Sequence, residues 1–362
     1  QKIDSNWYFY DEDGLKTVGK KNINGSTYYF NQEGIMQTGW VFVDGHWNYF
    51  ASSGAMKTGW VKDQETWYYL DKDGIMLTGR QDINGVRYYL NASGAMQTGW
   101  KWQDNSWYFY TNSGAMKTGW LKDKESWYYL DPETGIMAVG SKEIDGKNYF
   151  FSSAGTMQVG WQWSNDSWHY YATSGALQTG WLKDGDAWYY LEGKEGVMLV
   201  GLHQVDGKQY YFSKSGAMQT GWKWFDNHYR YFESNGAMKT GWIKDKGVWY
   251  YLNPEDGIML VGLHKVNGDH YYFDESGAMQ TGWKQLDGNW YYFQADGSLL
   301  KNATTPDGYK VNEEGIWKQA VAAVNSDAVK PEQKQEANSS IVEQPKQDSN
   351  LEANASDKKE NE

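Results

Sequence analysis

Pairs of tryptophans seven residues apart are the residues of this sequence best suited to bind a ligand. Trp60 with Trp67, and Trp120 with Trp127, stand one and eight residues after a glycine, and the same spacing recurs along the chain. An indole face attracts a cation, and one such contact contributes about 0.5–2 kcal/mol. No charged side chain accompanies every pair. The pairs therefore indicate a site for a cation that is recognised by rings, a quaternary ammonium ion above all.

The glycine before each pair opens a repeat of 20 or 21 residues. Each repeat contains two short aromatic runs around a polar turn such as Asp44-Gly45, which is typical of a β-hairpin. One hairpin is marginally stable alone, whereas stacked hairpins bury each other's faces. The sequence therefore predicts an all-β solenoid, a superhelix of about 14–15 stacked hairpins with about three hairpins per turn.

Three classes of repeat alternate with a period of 60 or 61 residues. Class A lacks both tryptophans and begins at Gly19, Gly79, Gly140, Gly201 and Gly262. Class B begins at Gly39, Gly99, Gly160, Gly221 and Gly282. Class C begins at Gly59, Gly119, Gly180 and Gly241. Three hairpins per turn would place each class along one edge of the superhelix, although a triplication without that geometry would leave the same pattern.

Position +9, counted from the starting glycine, supplies a third ring. It is tyrosine throughout classes A and C, but in class B it is Asn48, Tyr108, His169, Arg230 or Tyr291. A class B hairpin follows a class A hairpin, which has no tryptophan pair. The tyrosine is thus kept only where the preceding hairpin offers two tryptophans. This pattern predicts a cage with two walls from one hairpin and the third from the next.

Eight such cages follow from the spacing. They are Trp40, Trp47 and Tyr68; Trp60, Trp67 and Tyr88; Trp100, Trp107 and Tyr128; Trp120, Trp127 and Tyr149; Trp161, Trp168 and Tyr189; Trp181, Trp188 and Tyr210; Trp222, Tyr229 and Tyr250; and Trp242, Trp249 and Tyr271. For Trp283 and Trp290 the candidate third wall is Tyr309. Slots that follow class A, such as Arg80 and Arg87, are predicted to hold no cation. The extra class B rings Phe42, Trp102, Trp163 and Trp224 leave open a different pocket on that edge.

Two further sets of residues are assigned to packing. Position +10 is Tyr or Phe in every repeat, and these rings are expected to form the core. All twelve methionines lie in the link between hairpins, for example Met56 and Met76. Methionine adapts to irregular gaps, so a packing role is favoured there, with a cage wall as the alternative.

Catalytic and metal chemistry find no support in the other residues. The chain has no cysteine, and its six histidines lack a partner motif. Its carboxylates concentrate in turns such as Asp71-Lys72-Asp73. We therefore predict no catalytic residue, no metal site and no cofactor. A net charge of −12 disfavours nucleic acid as a partner, and no apolar run is long enough for membrane insertion.

The ends of the chain differ from its repeats. The predicted solenoid covers about residues 1–300, and the break in period after it predicts a cap at 301–320. Residues 321–362 are rich in Lys, Glu, Gln, Asn and Ser and are expected to form a disordered tail or linker. The segment from Gln1 to Trp7 aligns with the interior of a class C repeat, which is expected of a fragment of a longer chain.

Over about residues 1–300 the repeats resemble choline-binding repeats of Gram-positive surface proteins. The likeness rests on units such as Gly119-Trp120-Leu121-Lys122-Asp123, Trp127-Tyr128-Tyr129-Leu130 and Gly135-Ile136-Met137. It implies a hairpin superhelix that holds choline between consecutive hairpins by two Trp and one Tyr. It also implies a secreted, non-catalytic module at the cell wall and cell surface, attached to phosphocholine of teichoic or lipoteichoic acid. A cell-wall hydrolase or esterase domain outside this chain is compatible with it.

The class A repeats look more like the repeats of glucan-binding domains of glucansucrases and of toxin receptor-binding regions. They lack the cage tryptophans and carry motifs such as Ile83-Asn84-Gly85. Binding of a glucan or another carbohydrate is therefore the alternative to choline. An adhesin rod that binds a host protein is the other alternative.

Overall fold

The structure of the protein is a computed structural model that describes residues 1–317. The predicted disordered tail, 321–362, lies outside the described residues. Contacts divide the described residues into two compact units, Gln1–Gln162 with Tyr170–Leu177 and Trp163–His169 with the described residues from Gln178 onward. No helix within residues 1–317 has the length and apolar character needed to cross a membrane.

Residues 1–317 form fifteen antiparallel hairpins and no helix, which confirms the predicted all-β solenoid of hairpins in series. The paired strands are Lys2–Ile3 with Asn6–Trp7, Gly19–Ile23 with Ser26–Phe30, Gly39–Val43 with His46–Phe50, Gly59–Asp63 with Thr66–Leu70, Gly79–Ile83 with Val86–Leu90, Gly99–Gln103 with Ser106–Tyr110, Gly119–Asp123 with Ser126–Leu130, Gly140–Ile144 with Lys147–Phe151, Gly160–Ser164 with Ser167–Tyr171, Gly180–Asp184 with Ala187–Glu192, Gly201–Val205 with Lys208–Phe212, Gly221–Phe225 with His228–Phe232, Gly241–Asp245 with Val248–Leu252, Gly262–Val266 with Asp269–Phe273, and Gly282–Leu286 with Asn289–Phe293. A short strand, Val197–Met198, adds to the hairpin that begins at Gly180. The number of hairpins per superhelical turn stays a prediction.

Most hairpins close through a tight turn with two left-handed residues, whereas the turns at Lys124 and Gly185 have one. In the turn at Asp44-Gly45 the φ angles are 53° and 82°. Such angles define the turn type whose twist matches that of paired strands, and Asn or Asp followed by Gly adopts them at least cost. The turn sets the register: Trp60 pairs with Tyr69, and Lys62 pairs with Trp67.

Strand alternation then gives every hairpin two distinct faces. Positions +1, +3, +8 and +10 share one face, as Trp60 and Trp67 do. Positions +4, +9 and +11 share the other. The first face contacts the following hairpin of its unit, and the second face contacts the preceding one.

Links between hairpins carry the stacking. The Met76 N–H donates to the Trp47 carbonyl at 2.8 Å, and the Met96 N–H donates to the Trp67 carbonyl at 2.8 Å. Each link thereby ties position +8 of one hairpin to the hairpin after it. The methionine side chain fits against the glycine of the next link, because a Cβ on Gly74 would lie 2.6 Å from the Met56 sulfur. This contact favours the packing role for methionine.

The deepest burial lies at position +11, one residue beyond the rings assigned to the core from sequence. Leu70, Leu130 and Phe212 are fully buried, whereas the rings at +10, such as Tyr69, are mostly half-buried. The reason is the cross-strand partner. Position +11 pairs with the starting glycine, as Leu70 does with Gly59, and the missing side chain leaves room for a large apolar group.

After the last hairpin the repeat gives way to a different closure. Ala303–Thr304, Lys310–Val311 and Ile316–Trp317 are short strands that join Gly282–Leu286 and Asn289–Phe293 in one five-stranded sheet. Trp290 pairs with Trp317 in this sheet. The region after Gly282 is therefore the widest sheet in the described residues.

Candidate functional site

One tryptophan, at position +1, lies at the centre of each ring cluster. The Trp60 ring lies 6.3 Å from the Trp67 ring at an interplanar angle of 89°. It also lies 4.8 Å from the ring of Tyr88, which belongs to the next hairpin. The two side rings, Trp67 and Tyr88, have no mutual contact among the ring contacts of residues 1–317. They stand apart on either side of Trp60, as the walls of a cage must.

The same arrangement recurs in five more of the predicted triples. From the +1 ring to the +8 ring the centroid distances are 6.5 Å for Trp100–Trp107, 6.2 Å for Trp120–Trp127, 6.4 Å for Trp181–Trp188, 6.4 Å for Trp222–Tyr229 and 6.1 Å for Trp242–Trp249. From the +1 ring to the next hairpin's tyrosine they are 4.8 Å to Tyr128, 4.9 Å to Tyr149, 4.9 Å to Tyr210, 5.0 Å to Tyr250 and 4.9 Å to Tyr271. Tyr229 thus takes the place of the second tryptophan.

Two predicted triples differ from this description. Trp40 lies 4.7 Å from Tyr68, but Trp47 makes its ring contact with Phe42, at 5.4 Å. The other triple is divided between the units: Trp161 belongs to the first, and Trp168 and Tyr189 belong to the second. Trp161 lies on Gly160–Ser164, Trp168 on Ser167–Tyr171 and Tyr189 on Ala187–Glu192.

The cage walls are accessible and uncharged. The +8 tryptophans Trp67, Trp127 and Trp188 are each more than 40% exposed, which is unusual for so large an apolar side chain. Burial, with a smaller contribution from Asp245, raises the pKa of the Tyr250 phenol. Tyr250 is itself buried, and its phenol stays neutral at physiological pH.

Two kinds of cage can be told apart by the +4 residue of the hairpin that closes them. Where a class C hairpin closes a class B cage, the indole N–H of the +1 tryptophan donates to an aspartate. These hydrogen bonds are Trp40 to Asp63 at 3.1 Å, Trp100 to Asp123 at 2.9 Å and Trp222 to Asp245 at 3.1 Å. The carboxylate therefore lies at the edge of the cage and adds a negative charge to it.

Where a class A hairpin closes a class C cage, the +4 residue is a buried Ile or Val. Trp181 packs against a cluster of Leu199, Val205 and Phe212, and Trp242 packs against Val266 and Phe273 in the same way. These cages have apolar edges. Sequence inspection did not separate the two kinds, although the alternation of Asp with Ile or Val at +4 is visible in the repeats.

Junctions that follow a class A hairpin are occupied by the protein's own side chains. The Arg80 guanidinium lies 4.1 Å from the centre of the Tyr108 ring, and Arg80 Nε donates to Gln103 Oε1 at 2.9 Å. At another class B hairpin Arg230 lies over Phe225 and donates to the Asp256 carbonyl. Position +9 of these two hairpins, Tyr108 and Arg230, is buried.

The extra class B rings form a second set of ring pairs. Trp102 lies 5.5 Å from Trp107, Trp163 lies 5.5 Å from Trp168, and Trp224 lies 4.7 Å from Tyr229. Each extra ring is exposed and contacts a +8 ring of the same hairpin.

Groups of residues suited to hold a metal ion are absent from residues 1–317. His169, the one buried histidine of residues 1–317, contacts Ser164, with 3.3 Å between Nδ1 and Oγ. His203 and His264 lie on equivalent strands and contact the carbonyls of Val200 and Val261. The described geometry thus offers ring cages rather than a coordination or acid–base cluster.

Fold and site together define a repeat-built binding module whose ligand is an organic cation. A family model described as choline-binding repeat matches residues 17–59, 57–98, 77–117, 97–141, 138–179, 158–201, 219–261 and 260–303. A second model, for a cell wall binding repeat, matches 1–15 and 201–218. The chain therefore belongs to the choline-binding repeat family, and it is a choline-binding module.

The chain is similar to several choline-binding proteins whose structures have been solved. CbpJ from Streptococcus pneumoniae TIGR4 is 31% identical over 83% of this chain and 100% of its own, with a TM-score of 0.28. Choline-binding protein F from Streptococcus pneumoniae, solved with a peptidoglycan analogue, is 31% identical over 88% and 98%, with a TM-score of 0.30. The choline-binding domain of CbpL from the same species is 26% identical over 51% and 100%, with a TM-score of 0.42. No curated protein is similar enough to the chain to count as a match.

Proposed function

We propose that this chain attaches the protein that carries it to phosphocholine groups of a cell-wall polymer, teichoic or lipoteichoic acid, by filling many ring cages at once. The observation that supports this most directly is the recurrence of one +1 tryptophan between two ring walls. Trp60, Trp120 and Trp242 stand in this relation to their neighbours within narrow limits of distance and angle. In this proposal the residues of all eight predicted triples bind choline.

A single cage binds choline weakly, whereas many cages together bind a choline-bearing polymer strongly. Three ring contacts of about 0.5–2 kcal/mol give a few kcal/mol, and about −4 kcal/mol corresponds to a millimolar dissociation constant. A polymer that bears many choline groups meets several cages on one chain, and the second contact becomes intramolecular. Tight attachment therefore needs the polymer, whereas free choline at high concentration competes the module off.

Attachment rather than catalysis is the role we propose for this chain, in a secreted protein at the cell surface. The family's binding modules and the accessible ring walls support it. An overall charge of −12 fits a cationic ligand. A host protein as a further partner belongs to the same proposal, because exposed rings such as Trp102 and Trp224 remain outside the cages.

Retention on an amine resin tests the proposal. The chain is expected to stay on a column that carries quaternary or tertiary amines and to elute with free choline. Dextran resin is the parallel column. Retention on dextran with none on the amine resin would overturn the choline proposal in favour of a glucan ligand.

Thermal unfolding gives a second test. The cages lie between hairpins of the folded stack, so choline binds the folded state and stabilises it by mass action. At ten times the dissociation constant each filled site adds about 1.4 kcal/mol. We expect the unfolding midpoint to rise steadily through tens of millimolar choline. A midpoint that does not move would contradict the placement of sites between hairpins.

A further inference from the structure

A four-ring cluster closes the last hairpin at a place where no repeat follows. The match to the choline-binding repeat model ends at residue 303. Beyond it, Tyr309 and Trp317 lie against Trp283 and Trp290 of the hairpin that begins at Gly282. The cluster is therefore assembled from one repeat and one segment outside the repeats.

Three of the four rings reproduce the geometry of the repeat cages. Trp283 lies 6.4 Å from Trp290, a distance within that of the other +1 and +8 rings, at a slightly smaller angle of 81°. Tyr309 lies 5.7 Å from Trp283 at 85° and takes the place of a +9 tyrosine. The slightly larger distance to Tyr309 widens this cage relative to the 4.8 Å of Trp60 and Tyr88.

The fourth ring has no counterpart in the repeats. Trp317 lies 6.4 Å from Trp283 at 72° and 5.6 Å from Tyr309 at 82°. Its relation to Trp283 is that of a +8 tryptophan to a +1 tryptophan, with the edge of one ring toward the face of the other. The strand pairing of Trp317 with Trp290 holds it in place. Trp317 therefore meets Trp283 edge to face and is not stacked on it, and it also contacts Tyr309.

An aspartate of the cap completes the likeness to the charged cages. Asp307 Oδ2 accepts from the Trp283 indole N–H at 2.8 Å, while its Oδ1 accepts from the Thr305 hydroxyl. Thr305 is buried, and its hydroxyl oxygen also accepts from the Tyr309 N–H at 2.9 Å. One buried threonine therefore fixes both the carboxylate and the tyrosine wall.

We propose that Trp283, Trp290, Tyr309 and Trp317 form a ninth site for a trimethylammonium group, with Asp307 at its edge. The proposal rests on the proposed function and adds a site outside the repeats. A fourth ring adds about 0.5–1 kcal/mol at an exposed position. The cap site therefore binds choline about two- to fivefold more tightly than a three-ring cage.

Fluorine NMR of the full chain labelled with 5-fluorotryptophan tests this. The resonances of Trp317 and Trp127 are assigned as those lost in Trp317→Phe and Trp127→Phe, and choline chloride is the titrant. We expect both resonances to shift, that of Trp317 at the lower concentration. A moving Trp127 with a static Trp317 overturns the cap site alone. If neither moves, the proposed function fails.

Two variants and a neutral probe sharpen the result. Trp317→Ala and Asp307→Asn are expected to weaken the choline response of Trp283, the former two- to fivefold. A stronger response in Trp317→Ala would show that Trp317 plugs the site and would overturn the proposal. The uncharged isostere 3,3-dimethylbutan-1-ol should shift Trp317 at least tenfold more weakly than choline. Equal responses to the two probes would refute recognition of charge.

Discussion

Two neighbouring junctions of the first unit share one backbone arrangement but place different side chains against the ring at position +9. Where the hairpin at Gly79 meets the next, Arg80 lies over Tyr108 and donates to Gln103. Where the hairpin at Gly99 meets the next, Trp100 lies beside Tyr128 and donates to an aspartate. Positions +1, +4 and +9 take corresponding roles in both. The first junction is closed by a cation from the chain, and the second leaves its rings to a cation from solution.

The comparison shows that a ring at +9 can face a positive charge carried by the chain, as Tyr108 faces Arg80, and under the proposed function Tyr128 faces one carried by choline. Arg80 also forms an ion pair with Asp104 at 2.8 Å, so its guanidinium is held on three sides. The junction with Arg80 is therefore fully packed by side chains of the protein and needs no ligand. The two junctions differ in side chains alone, so substitutions can convert either kind of junction toward the other.

Removing the central ring of a cage should have the largest effect. Trp100→Ala is expected to abolish one choline site and to lower the free energy of unfolding by about 3 kcal/mol, because the ring packs on both hairpins. Equilibrium dialysis counts the sites, and denaturant unfolding gives the stability. Trp102→Ala is the matched control: its exposed ring lies two residues away and outside the cage, so both quantities should stay close to the parent values. An unchanged number of sites in Trp100→Ala would break the comparison.

Removing the internal cation should have the next largest effect. Arg80→Ala is expected to lower the free energy of unfolding by about 1–2 kcal/mol through loss of the contact with Tyr108 and the hydrogen bond to Gln103. The number of choline sites should not rise, because a single ring remains at that junction. Arg80→Trp combined with Arg87→Trp should instead create one more site. Dialysis that shows a new site in Arg80→Ala would contradict this account.

A buried histidine at +9 should make stability depend modestly on pH. Burial lowers the pKa of the His169 imidazole below its ordinary 6.5. The unfolded chain then takes up the proton first as pH falls. Stability is complete above the unfolded pKa and declines as pH drops through the folded one, by at most about 1.4 kcal/mol per pH unit. His169→Asn, which places the residue of Asn48 at the same position, should flatten the difference in unfolding free energy between pH 7 and 5.5. A parent and variant with parallel pH profiles would speak against it.

Neutralising the edge of a charged cage should give the smallest effect. Asp123→Asn keeps an acceptor for the Trp100 indole but removes the charge, which acts on the cage across solvent at about 0.4–0.8 kcal/mol. Choline should bind that site two- to fourfold more weakly, as followed by the fluorine resonance of Trp107. Asp104→Asn removes the same charge at a junction without a cage and should leave the Trp107 titration unaltered. Equal effects of the two variants would point to overall charge instead.

Much of this molecule follows from its sequence, since both the repeat and the cages are patterns of spacing. The two-residue turns set the register, and the register places Trp60 and Trp67 on one face. The spacing predicts that a +1 tryptophan meets the tyrosine of the next hairpin, and the rings of Trp60 and Tyr88 lie 4.8 Å apart. That choline occupies these cages stays a proposal.

Other features depend on contacts that spacing does not specify. The apolar core at +11 was missed because aromatic residues at +10 are the more conspicuous ones. Trp317 was missed because its approach to Trp283 depends on strand pairing after the repeats end. The Trp100–Asp123 hydrogen bond joins residues 23 apart and becomes apparent only when adjacent hairpins are stacked on each other.

The alternation of the +4 residue constrains how such a chain can change its length. Losing one hairpin would bring together classes that never meet in this sequence, for example the +1 ring of Trp40 and the +4 residue Ile83. The Trp40 indole N–H would then lose its present acceptor, the Asp63 carboxylate. Removing or adding three consecutive hairpins, a block of 60 or 61 residues, recreates every junction as it was. Unequal recombination within such an array would therefore be tolerated in whole triplets, and the reach of the module along its polymer would grow in steps of that size.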